Sequence, residues 1–236
     1  MLSITNHFLD TNMILSIAFE DSNFNECKRY YKLEYKRHIS YNVKKEIRTV
    51  IERMRLIAND IIRYIKEYLS SKGIKLSNLE YHIQKIKKGY IQQYKDETHV
   101  YKLKKDKFLE IVNDLFVEYI DEIKTDLICN NTQLNTLSSK IRNTFKKYNK
   151  TANKCLTSFE TFSFDNNSEL IDQLIDIGIH EKDAILVDDC SQISNYRNEE
   201  FVFVTNDTTI IECSFDASKL LDSMIYFSKP SRFLKE

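Results

Sequence analysis

The sequence predicts an α/β fold built on a central parallel sheet. Only 3 glycines and 1 proline occur in 236 residues, which is too little turn chemistry for a β-sandwich and favours long helices. The run FVFV at 201–204 is aromatic and β-branched, as in a fully buried strand. Strand and helix patterns alternate at both ends of the chain, which is typical of parallel sheets. The glycine shortage also excludes the glycine-rich phosphate loops of kinases and dinucleotide-binding enzymes.

The N-terminal part begins with two short strand patterns, each followed by a helix pattern. The first predicted strand covers Ile4 to Leu9 and ends directly before Asp10. A second extended segment is predicted from His38 to Tyr41. The helix after it carries apolar residues at three- and four-residue steps, at Val43, Ile47, Val50, Met54, Ile57 and Ile61. This stripe predicts one buried helix face.

The middle of the chain, residues 59–159, has an almost wholly helical and lysine-rich pattern. Because strand–helix patterns flank it on both sides, we expect a mostly helical insertion into one α/β domain. The predicted divisions are therefore 1–58 for the first half of the domain, 59–159 for the insertion and 160–236 for the second half.

The C-terminal part returns to the strand–helix pattern. A short helix within 166–178 is closed by Gly178, a good C-cap residue. The segment HEKDAILVDDCSQIS predicts another helix, and EFVFV predicts a strand that ends at Val204. A last helix near DASKLLDSM precedes the strand-like IYFS, with Pro230 just beyond it.

The charge is balanced overall but unevenly distributed. Residues 160–217 contain fourteen acids and two bases, which leaves 21 acids and 33 bases elsewhere. Such a division suits a polyanionic substrate held around bound cations, although a lysine-rich composition alone also makes solvated helix faces basic. The five cysteines form no CxxC or CxxH pair, so we expect reduced thiols and a cytoplasmic location. No segment approaches the ~20 apolar residues that span a bilayer, so no membrane partner is expected.

Four carboxylates are candidates for a shared site. Asp10 and Asp207 each follow a predicted strand, and the carboxyl ends of parallel strands lie at one edge of a sheet. Glu46 flanks the buried stripe of its helix, and Asp183 is in phase with the stripe of its own helix. Two further acids on that helix are out of phase and are expected to be solvated, namely Asp188 and Asp189.

Two of these carboxylates also have an ordinary structural interpretation. Asp207 can serve as the N-cap of the helix that begins at TTIIEC. Glu46 can be a first-turn charge that the helix dipole favours. The choice between these interpretations and a shared site depends on whether the carboxylates converge.

Four segments in this order, FLDTNMIL, ISYNVKKEI, KDAILVDDC and FVFVTNDTTII, resemble the signatures of the PIN domain family. The resemblance covers roughly the first fifty-odd and last seventy-odd residues, and the long insertion departs from it. It implies a three-layer fold with a central parallel sheet and a Mg²⁺- or Mn²⁺-dependent ribonuclease. The acidic cluster of catalytic and metal-binding residues would then be Asp10, Glu46, Asp183 and Asp207, with Asn12 and Thr205 as polar supports.

A basic segment is the candidate RNA surface. Residues 130–159 contain no acid, and their basic residues include Lys140, Arg142, Lys146, Lys147 and Lys150. Phe145 and Tyr148 are interleaved with them as potential stacking platforms, although a solvated helix face is an equal alternative. Tyr30 and Tyr31 are further stacking candidates, although tyrosines on a helix usually pack.

A second function class also fits the sequence. A catalytically silent PIN scaffold that binds RNA or protein would share the fold and lack metal-convergent carboxylates. A homo-oligomer and a toxin held by an antitoxin stay open. The sequence does not reveal the RNA target, the cleavage specificity, whether one or two metals act, or the role of the insertion.

Overall fold

A computed structural model of the chain describes residues 4–52, 55, 59, 131–221 and 224–234. The chain divides into two compact units, one formed by Met1–Arg48 with Asn149–Glu236 and the other by Thr49–Tyr148. Most of the predicted insertion, residues 60–130, lies outside the described residues. No helix among the described residues combines the length and the apolar character needed to cross a membrane.

The first unit contains a five-stranded sheet in which all neighbouring strands are parallel, which confirms the predicted α/β class. The strands are β1 (Asn6–Leu9), β2 (Lys36–Ser40), β3 (Glu160–Phe162), β4 (Phe201–Val204) and β5 (Ile225–Ser228). Their spatial order is β3-β2-β1-β4-β5, so the order along the chain reverses direction between β1 and β4. In open parallel sheets, ligands bind at such a reversal, beyond the carboxyl ends of the strands.

Helices connect these strands. In the N-terminal half they are α1 (Thr11–Phe19), α2 (Phe24–Tyr31) and α3, which covers residues 41–52. The helix α4 (Asn131–Leu156) precedes β3. The C-terminal half contains α5 (Ser168–Asp176), α6 (Glu181–Arg197), α7 (Thr208–Glu212) and α8 (Ser214–Leu220), and a 3₁₀ helix (Pro230–Phe233) follows β5.

The sheet core is formed by the two central strands. All four residues of β1 and all four of β4 are buried, and the rings of Phe8 and Phe203 stack at a centroid distance of 5.4 Å. Fully buried strands are expected where helices cover both faces of a parallel sheet. The apolar run that predicted β4 therefore reflects its central position.

The helix boundaries follow the local sequence. The predicted stripe on α3 is buried where it is described, at Val43, Ile47 and Val50. Beyond the end of α5, Gly178 has a φ of 101°, a conformation that few residues other than glycine adopt. The backbone N–H of Ile179 then donates to the carbonyl of Leu174 at 3.1 Å, which confirms the predicted cap.

Candidate active site

Asp10 lies at the carboxyl end of the central strand β1 and is only 2% exposed. Its backbone N–H donates to the carbonyl of Val204 at 3.1 Å, which continues the pairing of β1 with β4. Asp10 therefore stands at the reversal of strand order, where the fold predicts a ligand crevice. Its position follows directly from the short buried strand that precedes it.

Two polar side chains hold the Asp10 carboxylate. The Thr205 hydroxyl, which is fully buried, donates to Asp10 Oδ2 at 2.5 Å. Asn12 Nδ2 donates to the same oxygen at 2.5 Å and also reaches Thr205 Oγ1 at 3.1 Å. These three side chains form one hydrogen-bonded group across the ends of β1 and β4.

The electrostatic surroundings of Asp10 are acidic. Burial, together with the negative charges of three other acids, raises the pKa of Asp10 to about 8. In decreasing order of effect, these acids are Asp183, Glu46 and Asp207. The hydrogen bond from Thr205 lowers the pKa. All four carboxylates predicted from the sequence therefore belong to one electrostatic neighbourhood.

Three elements bring the other acids to this edge. Glu46 lies in the second turn of α3, where it accepts a hydrogen bond from the Thr11 hydroxyl at 2.7 Å. Asp183 is half-buried in the first turn of α6. Asp207 follows β4 and accepts a hydrogen bond from the backbone N–H of Thr209 at 2.8 Å, so its interpretation as an N-cap of α7 is confirmed.

The described residues contain no group of three or more His, Cys, Asp or Glu side chains that could hold a metal ion. The hydrogen bonds explain the present orientations of two of the carboxylates. Glu46 is turned to the hydroxyl of Thr11, and Asp207 is turned to the N-terminus of α7. The negative charges of the other three acids therefore act on Asp10, but the four side chains are not oriented to bind one metal ion together.

The prediction that Asp188 and Asp189 are solvated is wrong. Their side chains are 0% and 1% exposed, because α6 contacts β2, β4 and β5 on one side and α5 on another. A helix covered on several sides has no single polar face, so its phase does not identify the exposed residues. Asp188 accepts hydrogen bonds from the backbone N–H of Asn167 and from Gln192 Nε2, both at 2.9 Å.

Asp189 connects α6 to the start of α3. It accepts a hydrogen bond from Asn42 Nδ2 at 3.1 Å, and burial raises its pKa to about 6 while hydrogen bonds from Ser40 and Asn42 oppose the rise. Ser40 is itself the N-cap of α3, since its Oγ accepts from the backbone N–H of Val43 at 3.2 Å. Buried acids on α6 thus fix the backbone beside the candidate site.

The predicted basic surface is only partly as expected. On α4, Arg142, Lys146, Lys147 and Lys150 are exposed, and Lys140 is half-buried. The interleaved aromatics do not face solvent, because Phe145 is 0% and Tyr148 8% exposed. They pack instead of offering stacking platforms, so base stacking on α4 is a wrong prediction.

The stacking interpretation also fails for Tyr30, which is 1% exposed. Its hydroxyl lies 2.5 Å from His7 Nδ1, and its ring packs beside Tyr35 and Phe233. Tyr31 is partly covered and its hydroxyl lies 2.7 Å from Ser158 Oγ. One exposed aromatic at the relevant edge was not singled out by the sequence patterns: Tyr41, which directly follows β2 and is 55% exposed.

No protein-family model, curated protein or solved structure matches the chain. The fold and the site are therefore characterised by their own geometry: a parallel α/β sheet with a buried, acid-surrounded aspartate where its strand order reverses.

Proposed function

We propose that the protein is a metal-dependent endoribonuclease with a PIN-like site, which hydrolyses RNA phosphodiester bonds with Mg²⁺ or Mn²⁺. The observation that carries the proposal is the burial of Asp10 at the reversal of strand order, close to three other carboxylates. The ordered segments that resemble PIN signatures support the choice of RNA. A cytoplasmic location belongs to the same proposal.

The arrangement of acids is the first support. Acidic side chains close to a buried carboxylate repel its negative charge, so the buried group, here Asp10, resists ionisation. A bound divalent cation removes this cost, and hard oxygen ligands favour Mg²⁺ or Mn²⁺ over softer metals. The donor set of Asp10, Glu46, Asp183 and Asp207 fits such an ion in its chemistry.

The roles of the chain's own residues follow from their contacts. Thr205 and Asn12 fix the Asp10 carboxylate from one side. Glu46 and Asp207 must turn away from Thr11 and the N-terminus of α7 to share a cation with Asp10. When bound, the metal supplies water activation and neutralises charge on the phosphodiester.

The basic residues of α4 are proposed RNA contacts. Exposed lysine and arginine side chains neutralise phosphates without reading sequence, so they would provide affinity and leave selectivity to other residues. Because the aromatics of α4 are buried, this contribution is electrostatic. The residues concerned are Lys140, Arg142, Lys146, Lys147 and Lys150.

The proposal is tested by cleavage of a labelled RNA pool in Mg²⁺, Mn²⁺ or EDTA. We expect cutting in either metal, none in EDTA, and a loss of at least about 100-fold in Asp10→Asn and Asp207→Asn, because each loses a ligand charge. Asparagine keeps the acceptor oxygen for Thr205 at position 10 and remains a good N-cap at position 207. The exposed Asp172→Asn on α5 is the matched control and should keep full activity.

A thermal-shift measurement separates metal binding from cutting. At a metal concentration tenfold above Kd, the wild type should gain about 1.4 kcal/mol of stability, and Asp10→Asn should gain little. RNA binding without metal-dependent cutting or stabilisation would favour the silent scaffold instead. Cutting that persists in both aspartate variants would place the activity elsewhere.

A further inference from the structure

Tyr41 differs from the other exposed aromatics in that neither its ring nor its hydroxyl has a partner among the described residues. The Tyr226 hydroxyl, by comparison, donates to Glu200 Oε1 at 3.5 Å. The Phe215 ring is covered by Lys219 Nζ at 3.8 Å, and Tyr196 packs against Phe164 with ring centroids 6.2 Å apart. Within the described part of the chain, Tyr41 makes neither a ring contact nor a side-chain hydrogen bond, and it is 55% exposed. A large aromatic surface is thus presented to solvent.

The position of Tyr41 is at the same sheet edge as Asp10. The register of β1 with β2 pairs Phe8 with His38, so Asp10 is level with Ser40 on the neighbouring strand, about 5 Å away. Tyr41 is the next residue after Ser40 and the first of α3. Its helix also carries Glu46, about 140° around the helix from Tyr41, whose carboxylate accepts a hydrogen bond from Thr11, the residue after Asp10.

The backbone that carries Tyr41 is fixed on both sides. Ser40, fully buried, caps α3 by accepting from the Val43 N–H, and Asn42 donates to the buried Asp189 at 3.1 Å. An aromatic side chain on a fixed backbone loses only two torsions when it binds, so it provides contact area at a low entropic cost. Such residues serve as preorganised stacking surfaces.

Cations share the exposed face of α3. At 100° per residue, Lys45 lies about 40° and Arg48 about 20° from Tyr41 around the helix, and all three are exposed. The face therefore combines an aromatic ring with two positive charges over about 10 Å of helix length. This combination matches a single nucleic-acid strand, whose unpaired bases stack on aromatic rings while its phosphates contact cations.

We infer that the exposed face of α3, formed by Tyr41, Lys45 and Arg48, holds single-stranded RNA beside the acidic site, with one unpaired base stacked on Tyr41. The inference rests on the proposed function for its choice of RNA and adds the surface of the chain that holds the strand. A base inside a duplex has no free face to stack on Tyr41, so duplex RNA is discriminated against.

The test is binding of a labelled ten-nucleotide oligouridine to the full chain in EDTA, measured by fluorescence anisotropy. We expect Tyr41→Ala to weaken binding about 5- to 100-fold, and Tyr41→Phe to stay within about twofold, because stacking needs the ring and not the hydroxyl. Arg48→Gln should reduce the slope of log K against log salt by about 0.7. Duplex RNA should bind more weakly, and Tyr41→Ala should not change that binding.

The matched control is Phe215→Ala, which removes a more exposed ring (72%) from α8 and should leave binding unchanged. Equal thermal unfolding of Tyr41→Ala and wild type excludes a folding defect. An unchanged affinity in Tyr41→Ala, an equal loss in Phe215→Ala, or no binding of oligouridine by the wild type would overturn the inference. Loss of binding in Tyr41→Ala without metal-dependent cutting by the wild type would instead remove the nuclease and keep the RNA surface.

Discussion

The two ends of the parallel strands differ in how their charged side chains are arranged. At the amino edge, the guanidinium of Arg197 contacts the carboxylate of Glu160 and lies 4.0 Å from that of Glu199. At the carboxyl edge, the charged groups that act on Asp10 are three further acids. At the amino edge, opposite charges are paired. At the carboxyl edge, charges of the same sign lie near one another.

The amino edge also includes a histidine. His38 is buried with its Nδ1 3.4 Å from Glu160 Oε2, and Asn6 Nδ2 donates to Glu199 at 3.0 Å. The Arg197 guanidinium further lies 5.0 Å from the centre of the Phe162 ring. The charged side chains named here thus lie beside partners that stabilise them.

The difference indicates that the carboxyl edge lowers the stability of the folded protein. Charges of one sign near a buried carboxylate oppose folding, whereas paired charges are neutral or favourable. Costly local arrangements occur where a ligand later compensates them. The following predictions test this contrast through the sign of the change in stability.

The largest expected effect concerns Asp10→Asn, which should stabilise the protein by on the order of 2 kcal/mol at pH 8 without metal. Because the folded-state pKa of Asp10 is raised to about 8, the wild type loses stability as pH rises from about 4 to 8. The variant lacks this loss, so its advantage should fade towards pH 4. Urea unfolding at several pH values measures this difference in stability. If Asp10→Asn were less stable than the wild type at pH 8, the acids around Asp10 would not oppose folding.

A smaller effect of opposite sign is expected for Arg197→Leu. The variant leaves Glu160 and Glu199 without the guanidinium and exposes the Phe162 ring, so it should lose about 1 to 2 kcal/mol of unfolding free energy. The side chains of these two acids are 50% and 43% exposed, which limits the loss. Lys219→Gln is the matched control: its exposed pair with Asp216 should contribute less than about 0.5 kcal/mol, and equal losses would erase the distinction.

The smallest effect concerns His38→Phe and appears only in acid. Burial lowers the pKa of His38 to about 4, so the unfolded chain takes up a proton between about pH 6.5 and 4 before the folded protein does. The wild type therefore loses stability over that range. Among the described residues neither ring nitrogen has a hydrogen-bond partner, so phenylalanine fits without leaving a polar group unpaired.

We accordingly expect His38→Phe to match the wild type at pH 7.5 within about 0.5 kcal/mol and to exceed it by about 1 kcal/mol at pH 5. Urea midpoints at the two pH values provide the measurement. If the stability difference between variant and wild type were the same at both pH values, protonation of His38 would not be coupled to unfolding.

The sheet was largely predictable because its central strands are short, contain apolar residues and are followed by polar ones. The strand β3 was not, because Glu160, Thr161 and Phe162 show no apolar run and are exposed or half-buried. Only its pairing with β2, 122 residues away for His38 and Glu160, makes it a strand. Local pattern carries no information about such a partner.

The site was predictable to the extent that strand ends determine it. Asp10, Thr205 and Asp207 follow from β1 and β4, but the burial of Asp188 and Asp189 depends on how many elements cover α6. The exposure of Tyr41 could have been predicted from the sequence. Tyr41 lies about 160° around α3 from the buried Val43, so the helical phase already indicated an exposed ring.

The order of the strands also has a consequence for the synthesis of the chain. The central strand β1 pairs with β4, and Asn6 and Phe201 are 195 residues apart. At ribosomal rates of about 5 to 20 residues per second, β1 waits roughly 10 to 40 s for this neighbour to be made. During that time one hydrogen-bonding edge of β1 has no neighbouring strand, and an unpaired strand edge can pair with other chains.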